Sequence, residues 1–273
     1  MPETRQSILR FDHVSVSFEG AEVLSDVSFE AFEGESRVIL GAMGSGKTVL
    51  LKTALGLVKP DSGKVYAFGQ DLTVLSERAL FEVRSKIGVL FQESALFDSL
   101  TVEENVAYPL VNQKAIHCPK RDVHPRVVEA LEFVELGGTL EKFPSELSGG
   151  MRRRAAIARA VVTNPKLTLY DSPTAGLDPI TSHTIMTLLI KARDVAHTTT
   201  LVVTHRYQDG NLIANFRYNS KKGELEPARN GASRDVRTTF MVMQEGRLAF
   251  EGDQESLEAS RDPYVSKFVK QRT

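Results

Sequence analysis

Eight consecutive residues, 41–48, carry the strongest chemical pattern of the chain, because they read Gly-Ala-Met-Gly-Ser-Gly-Lys-Thr. An apolar run precedes them and a helical pattern follows, which is the context of a phosphate-binding P-loop. Glycines let backbone N–H groups turn toward an anion, and the positive end of the following helix faces the same anion. We therefore predict a nucleotide-phosphate site formed by Gly41, Ala42, Met43, Gly44, Ser45, Gly46, Lys47 and Thr48.

Two side chains of this loop and one distant carboxylate predict a metal-assisted nucleotide site. Lys47 is expected to reach the β- and γ-phosphates, and Thr48 to hold Mg²⁺ through its hydroxyl. Residues 167–171 form an apolar run that ends in Asp171, the Walker B pattern of a carboxylate at a strand end near Mg²⁺. The predicted ligands are therefore ATP and Mg²⁺.

A third pattern is a small polar group at the start of a basic, amphipathic helix, 151–160. Ser148, Gly149 and Gly150 offer a hydroxyl and exposed backbone N–H groups, which suit a γ-phosphate. An ordinary helix cap is the alternative, since serine also satisfies that role. The three arginines that follow, 152–154, fit either a solvated face or interface contacts, and we do not assign them to nucleic acid.

The elements that must position these residues indicate one α/β domain. Residues 8–33 alternate apolar and polar residues, as half-buried antiparallel strands do. The segment 166–204 alternates strand, helix and strand, which implies a parallel sheet. We predict an α/β core at 1–92 and 165–251, and a helical subdomain at 93–164. A polar surface loop at 219–237, a last hairpin at 239–250 and a C-terminal extension at 252–273 complete the prediction.

Composition excludes several other classes of protein. The net charge is −1, so no global charge favours nucleic acid. Cys118 is the one cysteine, which excludes an internal disulfide and a cysteine metal cluster. No run approaches the ~18 apolar residues of a membrane span, and the first residues lack an apolar signal region. We expect a cytosolic protein, or one held at a membrane by a partner.

Five motifs resemble, in their order and spacing, those of the nucleotide-binding subunit of ATP-binding cassette (ABC) transporters. They are the P-loop and residues 147–151, 167–171, 175–178 and 204–205. The resemblance implies a P-loop NTPase fold with a RecA-like parallel core, an N-terminal antiparallel β subdomain and an inserted helical subdomain. It also implies a homodimer that sandwiches ATP, in which Ser148 to Gly150 contact the nucleotide of the opposite subunit. Asp178 would lie at the interface between the subunits.

Three more residues receive roles from this resemblance. Phe18 matches the aromatic residue that stacks on adenine, although a phenylalanine of the core is the alternative. Gln92, at the end of a strand predicted to lie beside the P-loop strand, would sense Mg²⁺ or water and relay this to the helical subdomain. His205 would contact the γ-phosphate.

Ser172 departs from the family pattern, which has a glutamate directly after the Walker B aspartate to polarise the attacking water. Serine has no useful basicity near neutral pH without a partner base. Three interpretations remain open. Hydrolysis is slow and relies on His205, backbone and γ-phosphate; another carboxylate such as Glu93 substitutes; or the chain is an inactive form. We favour a slow ATPase, with Ser172, His205 and Gln92 as the candidate catalytic residues.

Two stretches are similar to the ATPases of the Mla/Mce type, which move phospholipids or other hydrophobic molecules. These are residues 88–110 and the signature sequence, which has Met151 where most relatives have glutamine. The similarity implies two permease subunits, an Mce-domain lipid-binding protein, and a position on the cytoplasmic face of the inner membrane. An importer for another substrate, such as polar amino acids, and a regulatory nucleotide-binding subunit are the alternatives.

Overall fold

The structure is a computed structural model that describes residues 6–228 and 237–270. In these ranges the strands are β1 (Ser7–Phe18), β2 (Ala21–Phe32), β3 (Ser36–Gly41), β4 (Ser62–Ala67), β5 (Gln70–Asp71), β6 (Ile87–Leu90), β7 (Leu167–Asp171), β8 (Thr199–Thr204), β9 (Phe216–Asn219), β10 (Glu224–Pro227), β11 (Thr238–Gln244) and β12 (Arg247–Gly252). The helices there are α1 (Lys47–Ala54), α2 (Glu77–Arg84), α3 (Val102–Asn112), α4 (Lys120–Phe133), α5 (Gly149–Val161), α6 (Pro179–Ala196), α7 (Tyr207–Asn215), α8 (Gln254–Glu258) and α9 (Pro263–Lys270).

A six-stranded sheet in the order β12-β11-β3-β8-β7-β6 forms the centre of the fold. All neighbouring pairs are parallel except β11 and β12, which are antiparallel. Every residue of β3, β7 and β8 is buried, as expected for parallel strands covered on both faces. The predicted parallel core is confirmed. The loops after β3, β6, β7 and β8 leave the sheet at one edge, where ligands of open α/β sheets bind.

A second sheet, antiparallel and in the order β2-β1-β4-β5, covers one face of the first. Ile39 of β3 belongs to the apolar cluster that includes this antiparallel sheet and α1. Val38 and Leu40 belong to the opposite cluster, which includes α3 to α6. The alternation follows the two-residue period of a strand. The P-loop strand is thus held from both sides, and the predicted N-terminal antiparallel subdomain is confirmed.

The helical segment 93–164 is described throughout and forms α3, α4, α5 and two short 3₁₀ turns, without a strand. Thr101 and Glu104 form a capping box that starts α3. The buried Asn105 side chain donates to the carbonyls of Phe97, Leu100 and Thr101, and accepts from the N–H of Phe97. These bonds fix the loop that connects β6 to the helical segment.

Two expectations from sequence are wrong. Residues 219–227 are part of a hairpin, in which Asn219 of β9 pairs with Glu224 of β10, and not of a loop. The alternating residues of 216–219 support a strand. The lysines, asparagine and glycine that follow are typical of a loop, and the prediction gave them more weight. The rest of the predicted loop, 229–236, lies outside the described residues. The strand before Gln92, β6, is an edge strand beside β7, with β7 and β8 between it and the P-loop strand β3.

The helices of ranges 6–228 and 237–270 include none long and apolar enough to cross a membrane.

Candidate nucleotide-binding site

The P-loop adopts a backbone path that needs glycine at two of its positions. Gly44 and Gly46 have φ values of 79° and 98°, in the left-handed region. A Cβ on Gly46 would lie 2.7 Å from the carbonyl oxygen of Val23, so the loop passes against β2 without room for a side chain. Gly46 is the N-cap of α1 and no side chain caps the helix. The first N–H groups of α1 are thus available to an anion.

Lys47 is folded back over the loop from the first position of α1. Its Nζ donates to the carbonyl oxygens of Gly41 at 2.9 Å and Ala42 at 2.7 Å, and to Oγ of Ser45 at 3.2 Å. Burial lowers the pKa of Lys47 below its ordinary value, and the Asp171 carboxylate acts in the opposite direction. A largely buried ammonium beside free helix N–H groups fits a polyphosphate.

Thr48 and Asp171 meet at the ends of two parallel strands. Oγ1 of Thr48 donates to Oδ2 of Asp171 at 2.7 Å, and Asp171 is only 2% exposed. A hydroxyl beside a carboxylate is an oxygen-rich donor pair that fits Mg²⁺, which takes few protein ligands and completes its shell with water and phosphate oxygens. Across the described ranges there is no cluster of three or more His, Cys, Asp or Glu residues that could hold a metal.

Ser172 directly follows β7 and is buried in a left-handed conformation with φ of 48°. Its N–H donates to the carbonyl of Val203 on β8, and its Oγ donates to Oδ1 of Asp171 at 3.0 Å. Such a φ is unfavourable for a residue other than glycine. The Ser172 hydroxyl therefore donates its proton to the Asp171 carboxylate and is not oriented to accept one.

Residues 43–48 of the P-loop, with Gln92, Ser172 and His205, line one cavity of about 580 Å³, whereas Gly41, Ala42 and Asp171 do not line it. The structure thus brings together most of the residues that the motifs predicted, although they come from four different loops. Glu93 is exposed and is absent from this lining. Phe18 is also absent from it, and its side chain is 46% exposed near the tip of the β1–β2 hairpin.

Two residues that support the site escaped the sequence analysis. The first is Asp209 on α7, 2% exposed, which accepts 2.7 Å hydrogen bonds from the hydroxyls of Thr174 and Thr204. Burial raises the pKa of Asp209, while these hydrogen bonds act against the rise. Asp209 joins the loop after Ser172 to the strand end that precedes His205. An acid in the first turn of the helix after His205 was the available signal.

The second is Arg153 on α5, which is 6% exposed. Its guanidinium donates to the carbonyls of Phe91 and Gln92, and at 3.4 Å to the carbonyl of Ala175. A solvated face is therefore the wrong interpretation for this side chain. Arg153 connects α5, the signature helix, to two of the loops that line the cavity.

Ser148, Gly149, Gly150 and Asp178 line a different cavity, of about 530 Å³. Ser148 is the N-cap of α5 and accepts from the N–H of Met151, so the ordinary capping role is present. Asp178 caps α6, and its hydrogen bonds from Thr181 lower its pKa. Gly176 lines both cavities. The two cavities of one chain therefore meet along one loop.

Comparisons with known proteins agree with this geometry. The model of the ABC transporter family matches residues 24–175, more than half of the chain. A probable ribonucleotide transport ATP-binding protein, mkl, of Mycobacterium leprae is 40% identical over 69% of this chain, and the match spans 54% of that relative. The chain thus spans about half the length of the first curated relatives that it matches.

Other relatives differ in what their names say they transport. The intermembrane phospholipid transport system ATP-binding protein MlaF of Haemophilus influenzae is 34% identical, over 91% of this chain and 84% of that protein. The methionine import ATP-binding protein MetN of Carboxydothermus hydrogenoformans is 42% identical, over 67% and 54%.

A solved dimeric ATP-binding cassette, in a post-hydrolysis state with ADP and phosphate, is 29% identical over 90% of this chain and 98% of that chain. The TM-score of this match is 0.73. With the family motifs gathered at one edge of the parallel sheet, the chain belongs to the ABC transporter family of ATP-binding proteins.

Proposed function

We propose that this chain is the ATP-binding and ATP-hydrolysing subunit of an ABC transporter, and that it drives movement of a phospholipid or another hydrophobic molecule. The observation that carries the proposal is that Lys47 and Thr48 line one cavity, and that the Thr48 hydroxyl is bonded to the Asp171 carboxylate. Family membership supports ATP as the nucleotide.

The P-loop residues bind and orient the polyphosphate in this function. Lys47 would move its ammonium from the loop carbonyls toward the β- and γ-phosphates, and Thr48 and Asp171 would hold Mg²⁺. Bound Mg²⁺ neutralises charge that develops on the phosphate oxygens. Gln92 and His205 line the same cavity and are placed to orient water or the γ-phosphate. Phe18 keeps its proposed role at adenine, since its half-exposed ring is free to stack.

The proposal includes a homodimer, because one chain supplies two unlike half-sites on different surfaces. Ser148 to Gly150 lie away from the P-loop cavity and line a cavity with Asp178. A second copy facing the first would place this half-site over the P-loop of its partner. The dimeric state of the solved relative supports the same arrangement.

Hydrolysis is proposed to be slow. In the described residues no carboxylate lines the P-loop cavity, and Ser172 stands at the position of the missing base. The Ser172 hydroxyl donates to Asp171, so it is not poised to take a proton from water. Loss of a general base lowers the rate by about 10²–10⁴-fold.

A membrane permease is the proposed partner, bound at a groove beside the segment after Gln92. The groove has a volume of about 340 Å³ and is lined in part by Leu57, Phe97 and Tyr108, which are 53%, 41% and 40% exposed. Such a set of exposed apolar side chains marks a docking surface. Phe91 lines this groove and the next residue, Gln92, lines the P-loop cavity, so two consecutive residues connect them. The proposed location is the cytoplasmic face of the inner membrane, where the permease would hold the chain.

Phospholipid is the favoured cargo class, because the phospholipid transport relative aligns over nearly the whole of both chains. The relatives named for ribonucleotide and methionine align over 52% to 64% of their own length. An Mce-domain lipid-binding protein completes the proposed complex. Co-purification of the tagged chain with its membrane partners, followed by mass spectrometry of bound lipid, tests this assignment. Recovery of a permease free of lipid, with a bound amino acid, would replace it by the importer alternative.

A regulatory nucleotide-binding subunit is a second candidate, and Ser172 is the observation that favours it. Titration with a fluorescent ATP analogue should show Mg²⁺-dependent binding that Lys47→Ala abolishes. ATPase assays of the chain with its assembled permease then separate the candidates. Turnover that the permease stimulates supports the motor, and binding without turnover supports the regulatory subunit.

A further inference from the structure

The C-terminal helices α8 and α9 have no role in the proposed function, yet they pack on the core beside the P-loop. Leu257 of α8 and Val265 and Phe268 of α9 are buried. They share an apolar cluster with Phe240 and Val242 of β11. The helix pair is therefore seated on the central sheet next to the strand that pairs with β3.

Tyr264 of α9 reaches the start of the P-loop. Its hydroxyl accepts a hydrogen bond from the N–H of Ala42 at 3.3 Å and donates to the carbonyl oxygen of Met243 at 3.1 Å. Met243 lies opposite Gly41 in the parallel pairing of β11 with β3. One phenol group thus bridges the ends of two strands at the point where the P-loop leaves the sheet.

The peptide group between Gly41 and Ala42 is held at both of its polar ends. Its N–H donates to Tyr264, and its carbonyl oxygen accepts from Nζ of Lys47 at 2.9 Å. The bonds form a continuous chain from the carbonyl of Met243 through the phenol and the peptide to the ammonium. Hydrogen bonds in such a chain polarise and strengthen one another. A rotation of this peptide would break the bonds at both ends.

The orientation of the phenol is itself fixed. Asp262 accepts from the N–H groups of Tyr264 and Val265 and starts α9. The ring of Tyr264 packs edge-on against Phe268, with 5.4 Å between the centroids. The hydroxyl therefore has little freedom to follow a moving P-loop, and the loop must conform to the helix.

The α8 helix contacts α7, the helix that follows His205. Gln254 donates to the Tyr207 hydroxyl at 2.7 Å, and that hydroxyl donates to Glu258. Tyr207 begins α7 shortly after His205. The helix pair thus touches the two segments that carry Lys47 and His205.

We propose that Tyr264 is a positioning residue for ATP, which orients the 41–42 peptide and, through it, the Lys47 ammonium. The docked C-terminal helix pair sets the affinity of the P-loop for the triphosphate. The inference rests on the proposed ATP-binding function and deepens it. Tyr264 touches neither phosphate nor Mg²⁺ in this account and acts only through the loop.

Titration of the full-length chain with a fluorescent ATP analogue and Mg²⁺ tests the proposal. Tyr264→Phe removes the hydroxyl and keeps the ring against Phe268. We expect its dissociation constant to rise roughly five-fold, the effect of one hydrogen bond. Tyr66→Phe is the matched control on β4, where the ring lies under Arg10, and should bind as the wild type does. Thermal unfolding without nucleotide should give the same midpoint for all three proteins, which separates positioning from a loss of stability.

A second variant, Val265→Ala, loosens α9 from the core without touching the phenol. We expect it to weaken ATP binding as Tyr264→Phe does, because both release the same peptide. Wild-type affinity in Tyr264→Phe, or an equal loss in Tyr66→Phe, overturns the inference. Lys47→Ala distinguishes a failure of the inference about Tyr264 from a failure of the proposed ATP-binding function. If Lys47→Ala also binds ATP normally, the proposed ATP site itself is wrong. If only Lys47→Ala loses ATP binding, the proposed ATP site is supported and the proposed role of Tyr264 is wrong.

Discussion

Thr48 and Asp171 lie 123 positions apart in the chain, yet Oγ1 of Thr48 donates to Oδ2 of Asp171 at 2.7 Å. This contact joins the first turn of α1 to the end of β7, across the strand β8 that lies between β3 and β7. The two oxygen donors that we propose for Mg²⁺ are therefore direct neighbours in the fold.

Asp171→Asn should uncouple ATP binding from Mg²⁺. The amide keeps an acceptor for Thr48 but removes the charge that would hold the cation. We expect the gain in ATP affinity on adding Mg²⁺ to shrink by roughly 10- to 100-fold in the variant. Titrations with the fluorescent analogue in Mg²⁺ and in EDTA measure this gain. Asp98→Asn, a change at an exposed acid, is the control, and an undiminished Mg²⁺ effect in Asp171→Asn would exclude Asp171 from the metal site.

Ser172→Glu should accelerate hydrolysis. The position lines the P-loop cavity, and a carboxylate there supplies the base that the cavity lacks. We expect steady-state ATPase turnover to rise by about 10²–10⁴-fold. Ser172→Gln has nearly the same size without the basicity and should remain as slow as the wild type. Equal turnover in the wild type and Ser172→Glu would show that a missing base is not what limits this protein.

Arg153→Met should destabilise the fold and disconnect the signature helix from the cavity loops. The guanidinium donates to part-buried carbonyls of Phe91, Gln92 and Ala175, and methionine offers no donor. We expect the free energy of unfolding to fall by about 2–3 kcal/mol, because hydrogen bonds from a charged donor are lost. Urea denaturation measures this against Arg121→Met, whose side chain is 86% exposed and which should unfold as the wild type does. A loss no larger than that of the control contradicts the linking role.

Asp209→Asn should change how stability depends on pH. Burial raises the folded-state pKa of Asp209 above its ordinary value of 3.8, against opposing hydrogen bonds from Thr174 and Thr204 and the charges of Arg206 and His205. A raised folded pKa contributes stability that is fully present below pH 3.8 and is lost as the pH rises through the folded pKa. The wild type should therefore lose stability relative to the variant as the pH rises from 3.8 toward neutrality.

Urea midpoints of the wild type and Asp209→Asn at stepped pH values measure this difference. The other carboxyl groups are common to both proteins and cancel in the comparison. A difference that stays constant across the pH range would show that Asp209 does not titrate with a raised pKa.

The sequence predicted the candidate site best where the residues of one motif are neighbours in the chain. The glycines and Lys47 of the P-loop are close in the chain because the loop must wrap a phosphate with its own backbone. Alternation and period identified the strands of the core and the helical segment, since burial on one face imposes those patterns. The roles of the individual site residues remain predictions that the experiments above address.

Contacts made by long side chains across the fold could not be predicted. Nothing local to Arg153 shows that its partners are carbonyls near Gln92 and Ala175, because those loops meet it only after the sheet is assembled. Strand order is equally non-local, which is why β6 was misplaced beside β3. The hairpin of β9 and β10 was missed because its polar turn dominated the composition of the segment.

Gly176 lines both the P-loop cavity and the cavity of the signature helix. In the proposed homodimer this single loop would border the nucleotide of its own subunit and that of its partner. The two nucleotide sites would then be coupled through a segment of very few residues. Binding of ATP at one site would therefore change the affinity of the second site for ATP. Binding curves of the dimer should accordingly depart from a simple hyperbola, with a Hill coefficient that differs from one. A protein that hydrolyses slowly would, by this route, still respond to ATP as one coupled dimer.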